Sequence, residues 1–127
     1  MMIDDKKVLT EILLKELLKV KKWHKKTFPD ATLNGQLAKL EEEMNEFVKA
    51  KTREEETKEL ADIMIVCAGL DRWNSKVGNY VVSSHLENMP ITIICDLILA
   101  INEKMKKNQK RVWKKTSDGR FHHTNKE

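Results

Sequence analysis

The sequence predicts an all-α protein with a four-helix bundle core, and three features of the chain support this class. Only four glycines and two prolines occur in 127 residues, whereas hydrophobic residues make up 40% and charged residues 35% of the chain. Apolar residues recur at helical spacing in four separate segments. Runs of the β-branched and aromatic residues that favour strands are few. We expect one domain over residues 1–127, with a helical core over about 4–113 and a polar tail over 114–127.

Four helices follow from the apolar periodicity and the residues that interrupt it. They are predicted over about residues 4–26, 33–51 and 52–73, and from Pro90 onward. Phe28-Pro29-Asp30 ends the first pattern, and Thr52-Arg53-Glu54-Glu55 forms a capping box that starts the third helix. Residues 74–89 lack a clear period and are expected to be a loop. A further turn is predicted in the tail at Ser117-Asp118-Gly119.

The two cysteines and the hydropathy of the chain bear on its location. Cys67 and Cys95 each lie in an apolar helical stretch, where they are expected to be buried thiols rather than partners in a disulfide. The first residues lead directly into an amphipathic pattern without the features of a signal peptide. No apolar run approaches the length of a membrane span. These features predict a cytoplasmic protein with no membrane partner.

Two acidic motifs occupy the middle of the chain, Glu42-Glu43-Met44-Asn45-Glu46 and Glu59-Leu60-Ala61-Asp62. Each contains two carboxylates three residues apart, so each pair lies on one side of its helix. Antiparallel packing of the second and third helices would bring the two pairs face to face. The pairs are Glu43 with Glu46, and Glu59 with Asp62.

A divalent cation would resolve the repulsion within such a cluster. Neighbouring carboxylates repel one another unless a positive charge lies between them, and ligation by oxygen atoms alone favours Mg²⁺ or Mn²⁺. Asp62 is the only charge between Leu60 and Leu70, and a buried carboxylate needs a metal or a cationic partner. Glu41 and residues 54–56 are interpreted as solvated surface.

A basic segment, residues 104–115, follows the last apolar stripe and suggests a phosphate-bearing partner. Lys104, Asn108 and Arg111 are spaced i, i+4 and i+7, so they share the face that the helix otherwise uses for its core. Arginine as a fork and lysine as a point charge both suit phosphate oxygens. The neighbouring lysines, including Lys115, are interpreted as surface.

Together these motifs resemble those of the MazG-like all-α nucleoside triphosphate pyrophosphatases. The acidic pair resembles the family's EExxE…ExxD signature, and the basic segment is similar to its later Lys…Asn…Arg segment. The similar segments are Trp23-x4-Phe28-Pro29, Leu33-x-x-Gln36-Leu37-x-x-Leu40, Glu42-Glu43-x-x-Glu46, Glu59-x-x-Asp62 and Lys104-Met105-x-x-Asn108-x-x-Arg111. The resemblance covers about residues 20–113 and departs over 74–89 and in the tail from Thr116.

The resemblance implies a helix bundle of the all-α NTP pyrophosphatase type. The implied reaction is Mg²⁺-dependent hydrolysis of a nucleoside triphosphate, expected to be a deoxynucleotide, to the monophosphate and pyrophosphate. Mn²⁺ is the alternative metal, and a homodimer or homotetramer is the implied assembly. The implied metal ligands are Glu43, Glu46, Glu59 and Asp62. Activation of the attacking water is assigned to Glu42 or Glu46, and phosphate binding to Lys104, Asn108 and Arg111.

The base of such a substrate needs a stacking partner, and several aromatic residues are candidates. We single out Trp23 and Phe28, with Trp73 as a further candidate, and His24 or Asn34 for the polar edges of the base. Aromatic residues at helix ends belong more often to the core or to an interface, so this assignment competes with a structural one.

Two other classes of protein fit the sequence less well. A di-iron carboxylate bundle needs Glu-x-x-His pairs, but Lys49 and Asp62 stand three residues after Glu46 and Glu59. A non-enzymatic helical module that binds nucleic acid through residues 104–115 would explain the basic run. It would not explain Asp62 inside an apolar helix, so nucleic acid is not the expected partner.

Overall fold

The structure is a computed structural model, and it describes residues 4–73 and 88–124. The described residues form four helices and one β-hairpin. These are α1 (Asp4–Thr27), α2 (Leu33–Lys49), α3 (Arg53–Leu70), α4 (Ile91–Lys110), β1 (Trp113–Lys115) and β2 (Phe121–His123). The all-α class predicted from the sequence is confirmed. The loop predicted over 74–89 lies, from 74 to 87, outside the described residues.

Two threonines fix where α2 and α3 begin. The Thr32 hydroxyl accepts a hydrogen bond from the backbone N–H of Gly35, and the Thr52 hydroxyl accepts one from Glu55, each at 3.1 Å. Glu55 in turn accepts from the backbone N–H of Lys51 at 2.9 Å. Each cap stabilises its helix by about 1 kcal/mol. The sequence prediction that α3 starts at Thr52 is thus correct.

Helix α3 is the centre of the bundle, because it packs against α1, α2 and α4. The core fills the space between α1, α3 and α4. Its largest fully buried side chains are Leu13, Val20, Met64, Ile94, Leu97 and Ile101. Cys67 is buried and Cys95 half-buried, and both are free thiols. Across residues 4–73 and 88–124, no helix combines the length and apolarity needed to cross a membrane.

The segment expected to be a polar tail begins instead with an antiparallel hairpin. Trp113 pairs with His123 and Lys115 with Phe121. The chain reverses through a turn in which Gly119 has a φ of +86°, a region that favours glycine. The predicted turn at 117–119 therefore exists, but it joins two strands. The strands form because aromatic residues at alternate positions give the segment one apolar face.

The turn of the hairpin is seated on the start of α2. A Cβ atom added to Gly35 would overlap the backbone carbonyl of Gly119, so the two glycines allow an approach that no other residue permits. Lys115 adds a second contact between the hairpin and the helices, since its Nζ donates to the carbonyl oxygen of Asp30 at 3.0 Å. The hairpin is thereby held against the junction of α1 and α2.

Replacing Gly35 by alanine should dislodge the hairpin while leaving the helices in place. The added methyl group meets backbone atoms of Gly119, and overpacking of this kind typically costs about 1–3 kcal/mol. Hydrogen exchange measured by mass spectrometry should become faster in residues 113–123. Asn34→Ala, one position earlier on the exposed side, is the control and should leave exchange unchanged. Unaltered exchange in Gly35→Ala would refute the close contact between Gly35 and the Gly119 backbone.

Candidate active site

Three carboxylates from two helices converge between α2 and α3. Glu43 on α2 and Glu59 and Asp62 on α3 each offer one oxygen atom, and these atoms lie within 4.8 Å of one another. All three side chains are half-buried. The i, i+3 spacing places Glu59 and Asp62 on the side of α3 that faces α2. The structure therefore brings together three of the four residues that the sequence suggested as metal ligands.

The fourth suggested ligand, Glu46, is exposed and stands beside this cluster rather than within it. The charge of Glu46 nevertheless affects the pKa of Glu59, a member of the cluster. The pKa of Glu59 is raised above its usual value, first by burial, then by the charge of Asp62, and also by Glu46. Glu46 thus remains near enough to contribute to the field of the cluster.

Glu42, the other residue suggested for water activation, is engaged elsewhere. Its carboxylate lies 2.9 Å from Nζ of Lys39 and 3.8 Å from the guanidinium of Arg120, on the chain between β1 and β2. His122 of β2 lies at the same 3.8 Å. Glu42 therefore links α2 to the hairpin instead of facing Glu59 and Asp62.

Burial and mutual repulsion make the three carboxylates hard to ionise. The pKa of Glu43 is raised to about 7, first by burial and then by the charge of Asp62. Burial also raises the pKa of Asp62, although Lys104 acts in the opposite direction. A cation held among these oxygens would remove the repulsion.

Two lysines already supply part of the compensating charge. Nζ of Lys104 on α4 lies 3.2 Å from Asp62, and Nζ of Lys39 on α2 lies 3.5 Å from Glu43. The sequence left open whether Asp62 would need a metal or a cationic partner, and the structure provides Lys104. Lys39 was missed, although its position three and four residues before Glu42 and Glu43 was a usable signal.

The end of α4 arranges the remaining polar residues of the basic segment. The helix ends at Lys110, so Arg111 is not on its last turn as the spacing assumed. Arg111 still reaches back, since its guanidinium donates to the Asn108 side-chain oxygen at 2.8 Å. Asn108 is buried, with 6% of its surface exposed. The indole N–H of Trp113 donates to the Asn108 backbone oxygen at 3.1 Å, which ties the hairpin to the helix end.

A cavity of about 180 Å³ joins these charged groups to a cluster of aromatic rings. The charged and polar lining is Lys39, Glu43, Asp62, Lys104, Asn108 and Arg111. The aromatic part of the lining consists of Trp23, Phe28, Trp113, Phe121 and His123, together with the imidazole ring of His24. Both residues suggested for base stacking, Trp23 and Phe28, therefore border the same cavity as the carboxylates. Their rings contact each other edge to face at 5.3 Å.

A buried histidine network supports the aromatic part. The pKa of His24 is lowered to about 4, mainly by burial, so the ring is neutral at neutral pH. Nε2 lies 3.1 Å from the side-chain oxygen of Gln36, whose amide donates to the carbonyl of Val66 at 2.9 Å. Arg72 approaches Nδ1 at 3.5 Å and donates to the carbonyl of Phe28 at 2.6 Å. This pattern assigns the ring proton to Nε2 and holds Phe28 in place.

Two weaker candidates from the sequence do not join the cavity lining. Trp73 is 37% exposed and stacks with Arg72 at 5.1 Å instead. Asn34 is exposed at the start of α2. Phe121 and His123, which do line the cavity, were not singled out because the segment was interpreted as a polar tail.

An all-α bundle with a carboxylate cluster between two of its helices agrees with the resemblance to the MazG-like NTP pyrophosphatases. The family model described as phosphoribosyl-ATP pyrophosphohydrolase matches residues 13–92 of this chain. The chain belongs to this family, which is part of the MazG-like superfamily, and it is accordingly a pyrophosphohydrolase. The match includes both acidic motifs and ends at the start of α4. No curated protein and no solved structure gives a significant match.

The raised pKa of Glu43 predicts how the stability of the metal-free protein depends on pH. Between about pH 4.5 and 7 the folded state holds a proton that the unfolded state has lost, so stability falls as the pH rises through this window. At pH 8, Glu43→Gln should be more stable than the parent by about 1–3 kcal/mol, and at pH 4 nearly equal to it. Urea denaturation in EDTA measures both. Glu41→Gln is the control, and equal stabilities of Glu43→Gln and parent at pH 8 would contradict the assignment.

Proposed function

We propose that the chain is a Mg²⁺-dependent nucleoside triphosphate pyrophosphohydrolase that produces a nucleoside monophosphate and pyrophosphate. The supporting observation is the cavity that brings a carboxylate cluster, three cationic side chains and aromatic rings together. A nucleoside triphosphate has the same three requirements, namely a metal-bridged phosphate chain, cations for its charge and a surface for its base. Membership in a pyrophosphohydrolase family agrees with this reaction type.

The donor atoms fit a hard divalent cation. Glu43, Glu59 and Asp62 present only oxygen atoms, at a mutual distance that one ion can bridge. Glu46, which is exposed beside the cluster, would complete the ligand set directly or through a water. When bound, Mg²⁺ would polarise the phosphoryl oxygens and acidify a coordinated water. Mn²⁺ is expected to substitute, because its ligand preferences are similar.

The cationic residues would hold the phosphates. Arg111 is kept in position by Asn108, and its fork suits two phosphate oxygens at once. Lys104 pairs with Asp62 and also lines the cavity, where its ammonium group would hold a phosphate oxygen as a point charge. Of the two residues suggested for water activation, we favour Glu46, because Glu42 is paired with Lys39 and Arg120.

The substrate has two candidates within one reaction class. The resemblance to MazG-like enzymes gave the expectation of a deoxynucleoside triphosphate, whereas the matching family is described by its action on phosphoribosyl-ATP. Either substrate would release pyrophosphate. The cavity is smaller than the roughly 300–1,000 Å³ of typical ligand sites, so the phosphates would extend from it toward the exposed Glu46. A panel of both substrate types separates these candidates.

The alternative of a nucleic-acid-binding module is weakened by where the cations point. Lys104 turns to Asp62, Arg111 lines the cavity, and Lys115 contacts Asp30. A duplex-binding surface requires such groups to face outward as a basic patch. Lys104 and Arg111 therefore fit a phosphate chain within the cavity, whereas a surface polymer would have to use the exposed Lys106, Lys107, Lys110 and Lys114.

Hydrolysis should depend on the α3 carboxylates and on magnesium. Pyrophosphate release is measured for the common ribo- and deoxynucleoside triphosphates and for phosphoribosyl-ATP, with Mg²⁺ or with EDTA. We expect Glu59→Gln and Asp62→Asn each to reduce kcat/KM at least about a hundredfold, since each removes a charged ligand. Glu54→Gln, on the exposed first turn of α3, is the matched control. Full activity in EDTA, or in Asp62→Asn, would overturn the proposed metal role.

Arg111→Ala should lower kcat/KM by roughly ten- to a hundredfold, because a charged hydrogen bond to phosphate contributes about 1.5–3 kcal/mol. The control for the loss of one positive charge is Lys110→Ala. Lys115→Ala is less suitable, because Lys115 donates to the Asp30 carbonyl and its loss would disturb the hairpin. Lys110 is exposed and carries the same charge. Equal losses in both variants would point to general electrostatic attraction instead of a placed contact.

The proposed dimer or tetramer finds support in an apolar stripe on α2. Helix α3 does not provide such a surface, because most of its apolar residues are inside the bundle. The exposed residues of the stripe are Leu33, Leu37, Met44 and Val48. They recur at intervals of four and seven, so they share one side of α2.

Lysine substitution on this stripe should therefore break the assembly without unfolding the chain. Light scattering of Leu37→Lys combined with Val48→Lys should give the mass of one chain, while the parent gives two or four. Leu99→Lys on α4, where the leucine is 65% exposed, is the control and should keep the parent's mass. A monomeric parent at micromolar concentration would refute self-association.

A further inference from the structure

The C-terminal hairpin lies outside the part of the chain that matches the family, yet it forms one wall of the cavity. The family match ends at residue 92, and the hairpin begins at Trp113. Trp113, Phe121 and His123 all line the cavity that also contains Glu43 and Asp62. This wall is therefore a feature of the present chain that the family assignment does not account for.

The hairpin presents one aromatic face to the cavity because strand residues alternate between two sides. Trp113 and His123 are cross-strand partners on that face, and their rings meet edge to face at 6.0 Å. Phe121 lies on the same face and stacks on Phe28 with centroids 4.3 Å apart and an interplanar angle of 35°. Lys114, between these positions, points away and is exposed.

Several contacts hold this face in position without using the atoms that line the cavity. The backbones of Gly35 and Gly119 are in close apposition. Arg120 reaches Glu42 at 3.8 Å, and Lys115 binds the carbonyl of Asp30. The aromatic rings are therefore presented on a fixed support, as a preorganised binding surface requires.

We infer that this hairpin is the base-binding wall of the nucleotide site, with the base lying against Trp113 and Phe121. The inference rests on the proposed function, since it takes the phosphates to lie at the carboxylates and Arg111. Three rings of the hairpin line the cavity together with Trp23 and Phe28 from α1 and its end, and these rings contact one another. Every nucleobase has a π face that stacks on such rings. The hairpin would then supply affinity for the base, because stacking of this kind accepts any base.

Binding measurements separate contacts to the base from contacts to the phosphates. The probes are the non-hydrolysable α,β-imido analogues of dATP, dGTP, dCTP and dTTP, together with inorganic tripolyphosphate, which has no base. Calorimetry with Mg²⁺ gives the affinity of each probe for the full-length parent, Phe121→Leu, Trp113→Leu and the outward-facing control Lys114→Ala. Leucine keeps the apolar character of the wall and removes its aromatic face.

Loss of stacking should weaken nucleotide binding by roughly five- to fiftyfold in Phe121→Leu and Trp113→Leu. Tripolyphosphate binding should not change, and this also shows that the variants are folded. Equal weakening of both kinds of probe, or no weakening, would overturn the inference. A parent that binds its best nucleotide no more tightly than tripolyphosphate would overturn it as well. If the parent binds nucleotides through the hairpin but releases no pyrophosphate from them, the proposed function fails and the base-binding wall stands.

Discussion

The interaction on which the rest of the structure depends is the partial burial of like-charged carboxylates between α2 and α3. Asp62 is placed among apolar neighbours on α3, where burial raises its pKa, and its charge in turn raises the pKa values of the nearby Glu43 and Glu59. Such a group is tolerated only with a cation beside it. Lys104 and Lys39 meet this need. The Lys104–Asp62 pair joins α4 to α3, whereas the Lys39–Glu43 pair lies within α2.

The aromatic part and the carboxylate part of the cavity differ in how far their polar groups are already paired. Around the aromatic rings, His24 is neutral and bonded on both nitrogens, so little polar capacity is left over for a ligand. Recognition there must depend on shape and on ring faces. Among the carboxylates, burial raises the pKa values of Glu43 and Asp62, and the charge of Asp62 raises that of Glu43 further, although the lysines act in the opposite direction. The carboxylate part of the site therefore favours binding of a cation, and the aromatic part favours binding of a flat apolar group.

The sequence predicted the elements whose signals are local. Apolar periodicity located the helices, the capping box located the start of α3, and the i, i+3 spacing placed Glu59 with Asp62. The hairpin was not predicted, because its strands have only three residues each, which is too short to show a clear alternation in the sequence. Its stability comes from contacts distant in sequence, such as Phe28 with Phe121. Likewise, the pairing of Glu42 with Arg120 depends on where the hairpin docks, which no spacing rule gives.

Charge balance suggests how a highly charged substrate would enter this site at little cost. Around the cavity, the carboxylates of Glu43 and Asp62 are opposed by Lys39, Lys104 and Arg111. Under the proposed function, the carboxylates of Glu43 and Asp62 would hold the metal, and Lys39, Lys104 and Arg111 would hold the phosphates. Binding then exchanges ion pairs instead of desolvating new unpaired charges, which avoids the largest penalty of a buried ionic site.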